Sequence, residues 1–363
     1  MNRRTAIKRT TLGLGVLTLG LPSSKGTPMP KDKKLGIALV GLGRYSSLQL
    51  APALLETQYC KLAGIVTGTP QKAKDWSEKY NIPKENIYNY DNFDSIKDNP
   101  NIDIVYVVLP NSMHAEYTIR AAKAGKHVIC EKPMALNVKE CKAMIAACDA
   151  AKVKLGIGYR LYYEPHHLEA RRLGMTQELG EVRLMETSLG FSMANPKSWR
   201  LNKAMGGGGA IMDLGVYAIQ GCRRTLNQLP IRVNATAFTH QTDIFKDIPE
   251  AVFWQMEFSN GVITNSSTTY SAYVDRLYAT ATKGWFEVRP GFNAVGTAGQ
   301  TSKGKMEFEV KPYQQIDQMD AFAQTILEDK ALTASGQEGL IDLQIIEAIF
   351  KSIETKRWED IVY

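Results

Sequence analysis

From Leu35 onward the chain alternates short apolar runs with longer segments of helical period. Ile37–Val40, Lys61–Val66, "DIVYVVLP" (Asp103–Pro110), "KHVIC" (Lys126–Cys130) and "VKLGIG" (Val153–Gly158) predict buried strands. Between them, a helix-like segment ends near Leu55, "SMHAEYTIRAAKAG" predicts a helix stopped by Gly125, and "VKECKAMIAACDAAK" predicts another. Strand–helix alternation at this spacing means a parallel sheet with both faces covered. Such sheets bind ligands beyond the carboxyl ends of their strands. Pro110, Asn111 and the run Glu131-Lys132-Pro133 fall at such ends. Lys132 is therefore expected to point into a crevice rather than into solvent.

The first strand runs into Gly41-x-Gly43 and then into a helix. Glycines there let the backbone turn tightly and let a pyrophosphate approach the helix N-terminus. Ser46 replaces the third glycine of that fingerprint, so a plain strand–helix turn stays open as the alternative. After the second strand an NAD-specific fold usually places an acid on the ribose hydroxyls. Thr67, Gly68 and Thr69 stand there instead, with Lys72 one helical turn on. Small hydroxyls and a cation suit a 2′-phosphate; a helix N-cap beside a solvated lysine is the competing reading.

In the second half, "SWRLNKAMGGGGAIMDLGVYAIQG" spans Ser198 to Gly221. Gly206 to Gly209 cannot be a helix interior, and they let backbone pass close to something. The following helix carries Asp213 and Tyr217 four residues apart, on one face. A carboxylate and a phenol facing a lysine make an acid/base set. The alternative is that Asp213 caps the helix and Tyr217 packs in the core. His166-His167 looks like a metal pair, but adjacent side chains on a helix diverge and no third ligand is spaced nearby; no metal is expected. His114 is expected to pack at a helix start near the cofactor, not to act as a base.

Charge changes the picture only at the start of the chain. The 363 residues carry a net charge of +7. Residues 1–34 hold all of that surplus, and the rest of the chain balances. A nucleic-acid binder keeps its excess cations on the folded surface, so that class is excluded. The leader "MNRRTAIKRTTLGLGVLTLGLPSS" places Arg3-Arg4-x-x-Ile7-Lys8 before a short apolar run, Leu12–Leu21. It resembles a twin-arginine export signal, with a disordered basic tail as the alternative. The run is too short to span a bilayer, and no membrane insertion of the mature chain is expected. Cleavage is expected between Gly20 and Gly26, which implies a periplasmic location. Five cysteines without a Cys-x-x-Cys pair read as buried structural thiols.

The motifs Gly-Leu-Gly-Arg-Tyr, Leu-Pro-Asn-Ser-x-His, Ala-Gly-Lys-His-Val-x-Cys-Glu-Lys-Pro, Gly-Tyr-Arg, Trp-Arg-Leu and Gly-Gly-Gly-x-x-x-Asp-x-Gly-x-Tyr occur in the order seen in the Gfo/Idh/MocA oxidoreductases. The resemblance covers about residues 30 to 363. It implies an α/β chain: an N-terminal Rossmann dinucleotide-binding domain plus a C-terminal α+β domain with an open, mostly antiparallel sheet. The implied divisions are a signal segment over 1–24, a linker over 25–34, an NADP-binding domain over 35–157, and a substrate-binding and oligomerisation domain over 158–363. Carried over by motif, the catalytic lysine falls on Lys132 and the catalytic tyrosine on Tyr217, with Asp213 beside them. Many relatives have histidine at the position of Tyr217; tyrosine there favours the glucose–fructose branch. The resemblance further implies that Gly41, Gly43, Arg44, Tyr45, Thr67, Lys72, Leu109, Asn111, His114, Glu131 and Lys132 hold the nucleotide. Arg160, Trp199 and Arg200 match positions lining the cofactor and sugar cleft. NADP is the implied cofactor, with NAD the lesser alternative.

The implied activity is oxidation of an aldose to its lactone, with hydride returned to a second sugar, in a homo-oligomer (dimer or tetramer). Lys132 and Tyr217 are expected to relay the proton, while Asp213 orients the sugar or the tyrosine. Burial and a positive nicotinamide ring are expected to push Lys132 towards neutrality, and a cis bond is expected before Pro133. One departure is the arm ahead of the first strand, which is long and proline-rich in that branch and here is only "GTPMPKDKK". Two other outcomes exist within the fold: glycoside cleavage with transient use of nicotinamide, and non-catalytic regulatory binding. The retention of Lys132, Asp213 and Tyr217 argues against the second.

Overall fold

The computed structural model describes residues 34–193 and 195–363. The segment expected to be a twin-arginine signal, its expected cleavage site and most of the linker lie outside the described residues.

The first sheet is parallel and follows the predicted alternation. Its strands are β1 (Leu35–Val40), β2 (Cys60–Val66), β3 (Ile87–Tyr88), β4 (Ile104–Val107), β5 (His127–Cys130) and β6 (Leu155–Ile157), in the order β3-β2-β1-β4-β5-β6. The order reverses between β1 and β4, which opens a crevice at their carboxyl ends. Alternate residues serve two cores. Ala38, Val40, Val105 and Val107 pack with Tyr117 and Met144, whereas Ile37, Leu39, Ile104 and Tyr106 pack with Leu50 and Leu54. Helices α1 (Ala51–Glu56), α2 (Pro70–Tyr80), α3 (His114–Lys123) and α4 (Val138–Ala151) connect the strands. The Asp103–Pro110 run pairs as a strand only over Ile104–Val107; beyond it Pro110 has no N–H, and a 3-10 turn, Asn111–Met113, leads into α3. Gly125 takes φ +72° just past α3 and ends it.

The second half continues with α5 (Pro165–Thr176), β7 (Val182–Gly190), α6 (Lys203–Gly206) and α7 (Val216–Leu226). Then come β8 (Pro230–Phe238), β9 (Ala251–Phe258), β10 (Ile263–Thr269), β11 (Val274–Ala281), β12 (Gly284–Val288), β13 (Gly299–Thr301) and β14 (Gly304–Met306). The chain closes with α8 (Gln315–Leu327), α9 (Gly336–Thr355) and β15 (Glu359–Asp360). These strands form a nine-stranded sheet, β14-β13-β12-β11-β7-β10-β9-β8-β15. β7 and β10 are its one parallel pair; all other neighbours are antiparallel.

Helix α8 packs on the first sheet, not the second. Ile316, Met319 and Phe322 share a core with Ile37, Leu39 and Leu50. The Asp320 carboxylate accepts from the backbone N–H groups of Gln58 and Tyr59 at 2.9–3.1 Å. Late chain thus completes the dinucleotide half. No helix among the described residues is long and apolar enough to cross a membrane.

Candidate active site

A cleft of about 590 Å³ opens at the carboxyl ends of β1, β2, β4 and β5 and is roofed by the second half. Its floor is the β1 turn. Gly41 takes φ +93°, and a Cβ there would stand 2.5 Å from the Val108 carbonyl oxygen. Only glycine fits both constraints. Gly43 has nothing within 4 Å of its Cβ position, so the backbone there faces open space. Ser46, in place of the third glycine, donates its hydroxyl to the Gly41 carbonyl at 2.6 Å and braces the turn. The first helical residues, Ser46–Leu50, form a π-helical turn ahead of α1.

At the end of β2, Thr67 is buried and accepts from the Thr69 N–H at 3.2 Å. Thr69 makes no side-chain cap to α2. Lys72 reaches across the cleft mouth, its Nζ donating to the Leu42 carbonyl at 3.2 Å. The cleft lining includes Arg44, Tyr45 and Tyr90, and among the described residues its carboxylates are Glu131 and Asp213, which belong to other elements than Thr67. The open glycine turn, the hydroxyl and the cation fit a dinucleotide with an added phosphate.

Deeper in, Leu109 and Asn111 line the wall, and the Asn111 amide donates to the Gly206 carbonyl at 2.9 Å. This bond ties the first sheet to the glycine run. Gly208 explains why that run tolerates no side chain: a Cβ there would meet the Phe350 ring at 2.3 Å. His114 lies behind the wall and does not line the cleft. It is buried, with Nδ1 2.9 Å from the Pro133 carbonyl and Nε2 2.8 Å from the Leu109 carbonyl. Burial holds its pKa below the ordinary value, and a neutral ring donates to one of the two carbonyls. Through the Pro133 carbonyl it positions the lysine loop.

The Lys132–Pro133 bond is cis. Lys132 Nζ donates to Asp213 Oδ1 at 3.0 Å and to the Asp213 carbonyl at 2.8 Å. The expected push of burial towards neutrality is present, and the residues around the amine oppose it. Burial does favour the neutral amine, but the charges of Asp213 and Glu131 and the Tyr217 phenol together carry its pKa above the ordinary value. Asp213 is the converse: burial would raise its pKa, while Lys132 and Arg200 hold it well below the usual carboxylate range. Its Oδ2 accepts from Arg200 Nε at 2.9 Å and from the Tyr270 hydroxyl at 3.0 Å. Asp213 therefore holds the lysine and Arg200, and makes no hydrogen bond to Tyr217.

Tyr217 and Asp213 both face the cleft, as their spacing requires, although Asp213 sits in a π-helical turn, Ile211–Gly215, ahead of α7. The Tyr217 ring lies between two cations, with Lys132 Nζ 4.6 Å and the Arg160 guanidinium 4.9 Å from its centroid. Arg160 is held beside that ring by the Asn293 carbonyl at 3.1 Å, by the Phe292 carbonyl and by Gln314. Arg200 stacks on Trp199 at 4.5 Å, placing both at the cleft rim. Glu131 accepts from the Tyr106 hydroxyl at 2.7 Å, and burial raises its pKa despite that bond. Gln315 and Gln318 of α8 reach in to the hydroxyls of Tyr45 and Tyr106 at 2.9 and 2.7 Å.

Sequence reasoning missed Tyr270 and these α8 glutamines. Tyr270 follows the polar strand β10, where no spacing signals a site. The paired histidines are occupied elsewhere: His166 Nδ1 meets Glu164 Oε1 at 2.7 Å and His167 Nε2 meets the Gly291 carbonyl at 2.6 Å. All five cysteines are buried free thiols.

A β3-β2-β1-β4-β5-β6 sheet with a glycine turn under a lysine, a carboxylate and a phenol defines a nicotinamide-dependent oxidoreductase. The chain belongs to the Gfo/Idh/MocA oxidoreductase family. Residues 35–159 match its NAD-binding Rossmann domain and residues 167–300 match its C-terminal domain. An aldose-aldose oxidoreductase from Caulobacter crescentus, solved with glycerol, is 40% identical with a TM-score of 0.88, over 90% of this chain and 100% of that one. A D-xylose 1-dehydrogenase [NADP(+)] of Haloarcula marismortui is 28% identical over 90% of this chain and 92% of its own. A levoglucosan dehydrogenase in complex with NADH and levoglucosan shares the fold at a TM-score of 0.76 and 21% identity, over 91% of this chain and 100% of that one.

Proposed function

We propose that the protein oxidises a glucose-like aldose at C1 to its lactone with NADP, and returns the hydride to a second sugar. The observation that carries this reading is the Lys132–Asp213 pair set against Tyr217, in a cleft whose floor is the open glycine turn. The nucleotide, when bound, supplies the two-electron store that takes hydride from the first sugar and gives it to the second. Gly41, Gly43, Thr67 and Lys72 would hold its phosphates, and Asn111 and Glu131 would flank its far end.

The chain's own residues handle the proton. Tyr217 hydrogen-bonds the reacting hydroxyl and passes its proton to a neutral Lys132 as the C1–H hydride leaves. Lys132 then carries the charge that Asp213, 3.0 Å away, stabilises. The second half-reaction runs in reverse: charged Lys132 reprotonates Tyr217, which protonates the carbonyl oxygen of the acceptor. A lysine stabilised in the loaded state suits a cycle of two half-reactions. The test is a sugar panel that follows the absorbance of bound nucleotide and identifies products. Lactone from one sugar and a reduced second sugar are expected; glycoside hydrolysis without oxidised sugar would replace this reading.

The leader, the balanced charge of the rest and the buried free thiols support export by the twin-arginine route after folding in the cytosol. An exported dehydrogenase cannot draw on free nucleotide, so it is expected to leave carrying NADP. Denaturing the protein from the periplasmic fraction should release stoichiometric NADP; empty protein, or NAD, counts against it. The outer face of the nine-stranded sheet exposes Phe238, Phe253 and Ile263, which supports a homo-oligomer built on that face.

A further inference from the structure

A polar cavity of about 320 Å³ opens where α5, α7 and the first turn of α9 meet, sharing no wall residue with the cleft. Three arginines enter it: Arg171 from α5, and Arg223 and Arg224 from α7. Arg223 is matched, with Nη1 2.6 Å from Asp342 Oδ1 and Nη2 3.1 Å from Glu338 Oε2. Both carboxylates are also engaged elsewhere, Glu338 by the Tyr162 hydroxyl at 2.6 Å and Asp342 by Tyr159 and Gln220 at 2.7 and 2.6 Å.

The other two arginines have no such partner. Arg224 lies flat on the Tyr162 ring at 3.5 Å, and its hydrogen bond goes to the Tyr162 carbonyl at 3.4 Å. Arg171 donates to Asn227 Oδ1 at 3.3 Å. Among the described residues neither makes an ion pair with a carboxylate. Burial, and the charge of Arg171 beside it, press the Arg224 pKa below its ordinary value. The buried Nε–H of Arg223 has no acceptor among the described residues either.

Arginines in the last turn of a helix complement its dipole, which amounts to about half a charge. That accounts for one guanidinium on α7. It does not account for a second, brought from α5 to the same cavity without a counterion. Two half-buried like charges held together are stabilised by an anion that bridges them. Arginine forks match phosphate oxygens, and donors arriving from two helices suit a tetrahedral group better than a planar one.

We propose that this cavity binds a phosphate-type oxyanion through Arg171 and Arg224, with the Asn227 and Thr333 side chains at its rim. The proposal is independent of the sugar chemistry above. Inorganic phosphate is titrated calorimetrically into the whole protein, saturated with NADP so that the glycine turn and Lys72 do not report. One phosphate per chain is expected, weakened at least about tenfold by Arg171→Gln. Arg171 is half-exposed, so its variant tests the site even where Arg224→Gln fails to fold. Glucose 6-phosphate is the second arm: tighter binding than free phosphate makes a phosphate ester the ligand, and equal binding makes it the free anion. No binding at millimolar phosphate, or binding that survives Arg171→Gln, overturns the proposal.

Discussion

Lys132→Met is expected to reduce turnover to background while the fold and nucleotide binding persist. Methionine keeps most of the unbranched stem and removes only the charged end. Deleting one member of a buried ion pair commonly costs about 3–5 kcal/mol, because the other charge is stranded. Here Asp213 retains Arg200 at 2.9 Å and the Tyr270 hydroxyl at 3.0 Å, so its charge stays matched and the cost falls below that range. The chemistry has no such substitute. Among the described residues no other lysine meets Tyr217 or Asp213, and Arg200, also paired with Asp213, cannot cycle a proton near neutral pH. Steady-state turnover, nucleotide titration and a melting curve on the same preparation separate the two effects. Turnover within tenfold of the parent, with binding intact, would remove Lys132 from the proton path.

The fold was legible where burial is two-sided. Leu35–Val40 and Ile104–Val107 are buried at every position, so their sequences are unbroken apolar runs and announce a covered parallel strand. The short second-sheet strands carry alternating, partly polar faces, and their pairing depends on partners far along the chain. At the site, spacing along one element was informative: Asp213 and Tyr217 share a face and both reach the cleft. Relations across elements were not. Nothing local signals that Tyr270, 57 residues on, will meet Asp213. Nor does a sequence show that His114, at a helix start beside the crevice, turns away to the Pro133 and Leu109 carbonyls. The charge state of Lys132 was the hardest to read. Burial argues one way and the facing carboxylate the other, and the 3.0 Å separation that sets them against each other lies across elements.

Tyr217→Phe is expected to lower turnover by about 10²–10⁴-fold, the contribution of one acid/base group. The substitution keeps the ring that fills the space between Lys132 and Arg160, at 4.6 and 4.9 Å. Arg160 keeps the Asn293 and Phe292 carbonyls and Gln314, so no cation is orphaned. The stability cost is then about 1 kcal/mol, about one to two degrees in melting temperature. A packing role and a relay role therefore separate cleanly. Packing alone predicts near-normal turnover, because the aromatic body is unchanged. A relay predicts the full loss, unaccompanied by weaker nucleotide binding. Tyr217→His supplies the control, since imidazole can also pass a proton and stands at this position in many members of the family. Partial recovery with histidine but not phenylalanine would assign the proton to residue 217. A loss under tenfold with phenylalanine would leave the proton to Lys132 alone, acting on the sugar directly.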